Sequence, residues 1–139
     1  MSPRHLIALT LVLALALPLS ARTKPKAVPT VDPDYIFALA TATKFLYAWQ
    51  THDQETAALL LSDHAREHID EGALAAFFSA HTEQAYELSP GRKLAHGHYQ
   101  FPVALYTAPA DPHHWTHPRT TSLQIVHTPK GDWLVDNLP

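Results

Sequence analysis

A chain of 139 residues with 12 prolines, 11 histidines and a formal charge of -3 has the composition of one soluble globular domain, not of a fibrous, collagenous or disordered chain. It contains no cysteine, which removes a disulfide framework, a thiol nucleophile, thiolate-ligated zinc and a cysteine-linked lipid anchor. Ten basic residues face 13 acidic ones, and no basic patch is denser than Arg22, Lys24 and Lys26, so the electrostatic footprint of nucleic-acid binding is missing.

The chain opens with Arg4 and His5, then an apolar run from Leu6 to Leu17 interrupted only by Thr10, then Pro18, Leu19, Ser20 and Ala21. A positive start, an apolar stretch and small residues at its end are the parts of a secretory signal peptide. A membrane-spanning helix needs about 20 apolar residues, and this run stops short of that. Residues 1–21 are therefore expected to be a signal peptide cut after Ala21, which makes the protein secreted or periplasmic and leaves it no membrane attachment. Cleavage removes Arg4 and His5 and leaves roughly 120 residues, enough for one hydrophobic core. Arg22 to Val31, with Pro25 and Pro29 and little to bury, read as a disordered tether. A single domain is expected over 32–139.

Asp32 and Pro33 form a cap and first-turn pair, and Asp34 puts negative charge where the helix dipole favours it. The spacing of Ala38, Ala42, Phe45, Leu46 and Trp49 predicts a helix to about Gln50. Asp53 caps a second, shorter helix whose buried side is Ala57, Ala58, Leu60 and Leu61. Ser62 and Asp63 start a third from His64 to Glu71, broken at Gly72 and resumed through Leu74, Phe77 and Phe78.

The period then changes to two. Tyr86 and Leu88 mark a short strand joined through Ser89, Pro90, Gly91 and Arg92 to a long one from about Lys93 to Thr107, where Tyr99, Phe101, Val103 and Leu105 share a face. After a loop from Ala108 to Pro118, Thr121, Leu123 and Ile125 alternate. Pro129, Lys130 and Gly131 turn the chain into a last strand, Trp133 to Asn137. Helices followed by an antiparallel meander define an α+β fold. Pairing Val103 with Leu123 places Tyr99 beside His127, and extending across the last turn pairs His127 with Trp133 and Ile125 with Val135. The expected core face is Tyr99, Phe101, Val103, Leu105, Leu123, Ile125, His127, Trp133 and Val135.

Two stretches carry a family likeness: Phe45, Leu46, Trp49, His52, Asp53, Thr56, Ala57, Leu60, Leu61 and Ser62, and then Gly131, Asp132, Trp133, Leu134, Val135 and Asp136. From about Pro33 to Asn137 the chain resembles the nuclear transport factor 2-like (cystatin-like, SnoaL-like) superfamily, especially its secreted bacterial members. The resemblance implies a cone, in which N-terminal helices pack on a curved four-stranded antiparallel sheet, often with a pocket at the wide end. The superfamily holds isomerases, dehydratases, cyclases, transport adaptors and accessory domains, so a fold of this kind leaves the function to be argued from the site.

Three groups of residues are candidates. His127 with Tyr99, Trp133 and Asn137 on the inner face, together with Tyr86 and Phe101, frames a ligand pocket in which a neutral imidazole could act as general acid or base. The strand carboxylates Glu83, Glu87 and Asp136 fall on the outer face, away from it. His113, His114 and His117, with Asp111, have a spacing suited to weak metal binding. His64, Ala65, Arg66, Glu67 and His68 match the H-x-x-E-H string of inverted zinc peptidases, set against a plain solvated helix. Leu94, Tyr106, Val126 and Leu134 make the outer face apolar enough for a homodimer.

The main expectation is a non-enzymatic domain that binds a small ligand or a protein partner through the cone pocket, with no cofactor. The alternatives are a small isomerase, dehydratase or cyclase using His127, and weak metal binding by the loop histidines.

Overall fold

The computed structural model describes residue 27, residues 29–79, 83–108, 113 and 117–139. The expected signal peptide, most of the tether, Asp111 and His114 lie outside the described residues.

Helix α1 (Pro33–Gln50) forms where the sequence reading places it. Asp32 Oδ1 accepts the Asp34 N–H at 3.1 Å, and Pro33 occupies the first turn, where its missing N–H costs nothing. The buried stripe is Ala38, Ala42, Phe45, Leu46, Ala48 and Trp49. Alanines in its first half let the helix approach the sheet closely, and large side chains in its second half fill the wider space. His52 ends this segment at φ 58, the left-handed conformation that closes helices, and Asp53 Oδ1 then caps α2 (Gln54–Leu59) through the Thr56 N–H at 3.0 Å.

Helices α3 (Asp63–His68) and α4 (Glu71–Phe78) follow, which corrects the expected break at Gly72. The break falls at Ile69 and Asp70, both extended, and Gly72 lies inside the first turn of α4. Asp70 holds the N-cap position, and a glycine one turn from the helix start disturbs little that is hydrogen-bonded.

Strands β1 (Gln84–Leu88), β2 (Arg92–Ala95), β3 (His98–Thr107), β4 (Arg119–His127) and β5 (Trp133–Val135) make one antiparallel sheet. The spatial order is β1-β3-β4-β5, and β2 pairs with the same edge of β3 as β1 does, so the sheet is four positions wide and strongly curled. The expected long strand from Lys93 is thus a hairpin. Gly97, at φ 69, lets the chain reverse between Ala95 and His98, and a side chain there would meet the His127 Cβ at 3.1 Å.

The pairings of His127 with Trp133 and Ile125 with Val135 stand as expected, whereas β3 and β4 are displaced by two residues. Phe101 faces Leu123, Val103 faces Thr121 and Tyr99 faces Ile125. A two-residue shift preserves the inward face, so Tyr99, Phe101, Val103, Leu105, Leu123, Ile125 and Val135 are all buried. His127 is not: it ends β4 at the sheet margin and is exposed.

Helix α1 lies across the concave face, touching β1, β3, β4 and β5. Tyr35 packs on Tyr99 and Phe101 at one end, and Phe45 packs on Phe77 and Phe78 at the other. On the convex face Leu94 and Tyr106 are exposed, Leu134 is half-buried and Val126 is nearly covered. No helix among the described residues is long and apolar enough to cross a membrane.

Candidate functional site

The last turn of α1, one side of α4 and the starts of β1 and β4 do not meet completely, and a cleft of about 600 Å³ lies between them. Its volume falls within the ordinary range for small-molecule sites. Trp49 and Phe77 form one wall. The Trp49 indole Nε1–H donates to the Phe77 carbonyl at 2.9 Å, and the two rings stack with centroids 5.7 Å apart, which locks α4 to the end of α1. Ala73 and Ala76 keep the facing side of α4 low, and Leu105 and Leu138 supply apolar surface opposite.

Gln84, the first residue of β1, also lines this cleft. It has the inward parity of Tyr86 and Leu88 and is only 7% exposed. Its backbone carbonyl accepts the Gln50 Nε2–H at 3.1 Å, so the main chain is fixed from α1. Its side-chain Nε2 and Oε1 have no hydrogen-bond partner among the described residues. Leaving a buried amide unpaired costs roughly 1–3 kcal/mol, and such groups are few in folded proteins. The mouth carries two further polar groups. Arg119, opposite Leu105 in the register, donates from Nη2 to the Pro139 carbonyl at 3.1 Å, and His117 lies just before it.

A second, larger depression of about 960 Å³ lies at the other end of β4, bordered by Ser62, His64, His98, His127, Trp133 and Asp136. Its central polar groups hold one another: Asp136 Oδ1 accepts the Ser62 hydroxyl at 2.5 Å and lies 3.3 Å from His64 Nδ1. Ser62 Oγ also accepts the Ala65 N–H at 2.9 Å and so caps α3.

The six residues expected to frame a pocket are dispersed. His127 stacks on Trp133 with ring centroids 4.6 Å apart, and Trp133 touches Tyr99, but the His127 ring is on the exposed margin of the second depression. Tyr99 and Phe101 are buried packing residues. The Asn137 carboxamide is used in holding β4, its Oδ1 accepting the Gln124 N–H at 2.6 Å and its Nδ2–H donating to the Ser122 carbonyl at 3.0 Å. Tyr86 is half-buried on β1.

The histidine clusters divide similarly. His113 is exposed and His117 lines the first cleft. In the H-x-x-E-H string the His64 and His68 rings lie 4.3 Å apart on exposed helix, and His68 Nδ1 is 2.8 Å from the His64 carbonyl. No group of three or more His, Cys, Asp or Glu side chains among the described residues could hold a metal ion.

Sequence reasoning assigned Trp49, Phe77 and Leu105 to the core and passed over Gln84, Arg119 and Leu138. The available signal was Gln84 itself, a polar residue at an inward position of an alternating strand.

No family model and no curated protein matches the chain. Solved structures do. A protein described as a calcium/calmodulin-dependent protein kinase type II association domain, from Thiobacillus denitrificans, superposes with a TM-score of 0.54 at 14% identity, over 71% of this chain and 89% of the other. A ketosteroid isomerase-like protein from Erwinia carotovora atroseptica gives 0.52 at 12% identity, over 77% and 94%. A cystatin-fold protein from Novosphingobium aromaticivorans gives 0.47 at 17% identity, over 72% and 93%. The first two superpositions give the chain the α+β cone fold of nuclear transport factor 2-like proteins. At these identities the likeness is one of fold alone.

Proposed function

We propose that this protein is an exported, non-enzymatic domain that binds a small organic ligand in the cleft between Trp49, Phe77, Gln84 and Leu105. The observation that carries the reading is the cleft of about 600 Å³ itself, walled by Trp49, Phe77, Leu105 and Leu138, with His117 and Arg119 on its lining. A mostly apolar cavity with a few convergent polar groups is the usual form of a small-molecule site. Export rests on the apolar run from Leu6 to Leu17 and the small residues that follow it. Binding is favoured over the acid–base chemistry expected of His127 because that residue lies against the other depression.

The test is a screen of small aromatic fragments followed by two-dimensional ¹H–¹⁵N spectra of the purified protein. Binders are expected to shift the Trp49 indole and Gln84 side-chain amide resonances, and to lose that effect in Ala76→Trp, which fills the cleft from α4. Fragments that shift only resonances around His64 and Trp133, or none that shift any, would overturn the reading.

A further inference from the structure

We infer that two copies of this chain associate through the side of α1 turned away from the sheet, as an antiparallel helix pair centred between Ala40 and Thr43. A helix that packs only on its own sheet needs one apolar stripe, and α1 carries two. Ala38, Ala42, Phe45 and Trp49 are buried against the sheet side. Ile36, Ala40, Thr43 and Tyr47, all exposed, follow at steps of four, three and four, and at 3.6 residues per turn they stay within about 60° of arc on the opposite side. Those steps are the seam of a two-helix pair. Ile36 is 53% exposed, Phe37 58% and Tyr47 60%, and Ile36, Leu39, Ala40, Thr43, Lys44 and Tyr47 line a groove of about 560 Å³.

A second copy is the occupant because the stripe complements itself. It is large at both ends and small in the middle, so a copy turned end for end sets Ile36 of each against Tyr47 of the other. Ala40 then meets Thr43, where the backbones come closest. The Thr43 hydroxyl already donates to the Leu39 carbonyl at 2.9 Å, so covering it strands no donor. Phe37 and Lys44 flank the stripe on one side, and the antiparallel arrangement lays Lys44 of one copy over the Phe37 ring of the other, a cation–π contact. A parallel pair would instead bring the two Lys44 ammoniums to one level and align the helix dipoles unfavourably. Covering Ile36, Phe37 and Tyr47 on both copies removes on the order of 800 Å², and Leu39, Ala40 and Lys44 bring the total to about 1,000 Å², the lower bound for a specific interface. The dimer is therefore a weak one, with a Kd of roughly 10–100 µM. This face is distinct from the convex sheet face that carries Leu94 and Tyr106.

Sedimentation of the purified protein over about 5 to 500 µM tests the inference. The weight-average mass is expected to climb from that of the monomer toward twice that value. Ala40→Glu puts two like charges at the crossing while keeping a good helix former at an exposed position, and should stay monomeric throughout. Tyr106→Glu, on the convex sheet face, should dimerise as the wild type does. A wild type that is monomeric over the whole range, or association that survives Ala40→Glu, would overturn the inference. Because the chain has no cysteine, introduced thiols report the orientation. Oxidation of an equimolar mixture of Ile36→Cys and Tyr47→Cys should give the mixed disulfide, identified by mass, and neither variant alone should cross-link. Disulfides formed by each variant alone, with little mixed product, would mean a parallel pair and would overturn the antiparallel arrangement.

Discussion

Asp32 and Tyr99 are joined by a 2.7 Å hydrogen bond that ties the first turn of α1 to the middle of the sheet. One carboxylate oxygen of Asp32 caps the helix through Asp34, and the other receives the Tyr99 hydroxyl and, at 3.3 Å, the Lys93 ammonium. Lys93 also lies over the Tyr99 ring, 5.5 Å from its centroid. The Tyr99 hydrogen bond, with Lys93 behind it, holds the Asp32 carboxyl below its ordinary pKa. Burial, reinforced by Asp32, pushes the Tyr99 phenol up, and Tyr99 and Asp32 together raise Lys93.

Tyr99→Phe is therefore expected to cost about 1 kcal/mol, because it removes one hydrogen bond to a charged partner and leaves the ring packing intact. The loss should depend on pH. Asp32 has a lowered folded pKa, so its contribution is complete above the unfolded value of about 3.9 and disappears as pH falls through the folded value. Lys93 has a raised folded pKa, so its contribution is complete below about 10.4 and is lost as pH rises beyond it. Urea denaturation of wild type and Tyr99→Phe at pH 7 and at pH 2 to 3 checks this: the gap between the two proteins should shrink at acid pH.

Gln84→Leu should make the protein more stable. An apolar side chain of similar size removes an unpaired buried carboxamide, a gain of about 1 to 2 kcal/mol. For a domain of this size that corresponds to a rise in Tm of roughly 4–8 °C per kcal/mol, readable by thermal denaturation. A drop in Tm would mean that the carboxamide is already satisfied in the free protein.

Ser62→Ala is expected to destabilise the fold by about 1 to 2 kcal/mol. The hydroxyl caps α3 through Ala65 and donates to Asp136, so its loss orphans a helix N–H and removes a partner of a half-buried carboxylate. Chemical denaturation of Ser62→Ala beside Ser62→Thr, which keeps the hydroxyl, separates loss of the cap from loss of a small buried side chain.

Gly91→Ala should cost about 1 to 3 kcal/mol. An added Cβ would fall 2.4 Å from the Phe101 ring, which is fully buried and has no free direction in which to retreat. The Tyr35 hydroxyl, which accepts the Gly91 N–H at 3.1 Å, would be displaced with it. A lowered denaturation midpoint, accompanied by changed ring-current shifts of Phe101 and Tyr35, is the expected outcome.

How much of this was legible in the sequence varied with the kind of information needed. Helix α1 was readable to its ends because cap, proline and apolar stripe all agree at Asp32, Pro33 and Ala38. The inward face of the sheet was readable because it depends only on parity, and it survived a two-residue error in the pairing of β3 with β4. The register itself was not, because Phe101 with Leu123 and Phe101 with Ile125 are equally apolar pairs and the connecting loop is long. His127 was misplaced for a related reason: parity assigns it inward, but at the end of β4 the core has run out and the inward direction opens to water. The cleft was hidden because its walls, Trp49, Phe77 and Leu105, have the same residue types as a filled core. Only the contact between elements distant in the chain leaves a gap there.

The short parallel bridge between Leu61 and Val135 has a consequence for self-association. The outer edge of β5 would otherwise present free N–H and C=O groups, but the Val135 N–H donates to Leu60 and the Val135 carbonyl accepts from Ser62, both at 2.8 Å. At the opposite margin the edge is split into two pieces of five and four residues, β1 and β2, and the second carries Arg92 and Lys93. An incoming chain thus finds one margin of the sheet already occupied and the other short, interrupted and charged. The fold is guarded at both ends against templating an amyloid-like stack, although its strands are rich in the apolar segments such stacks use.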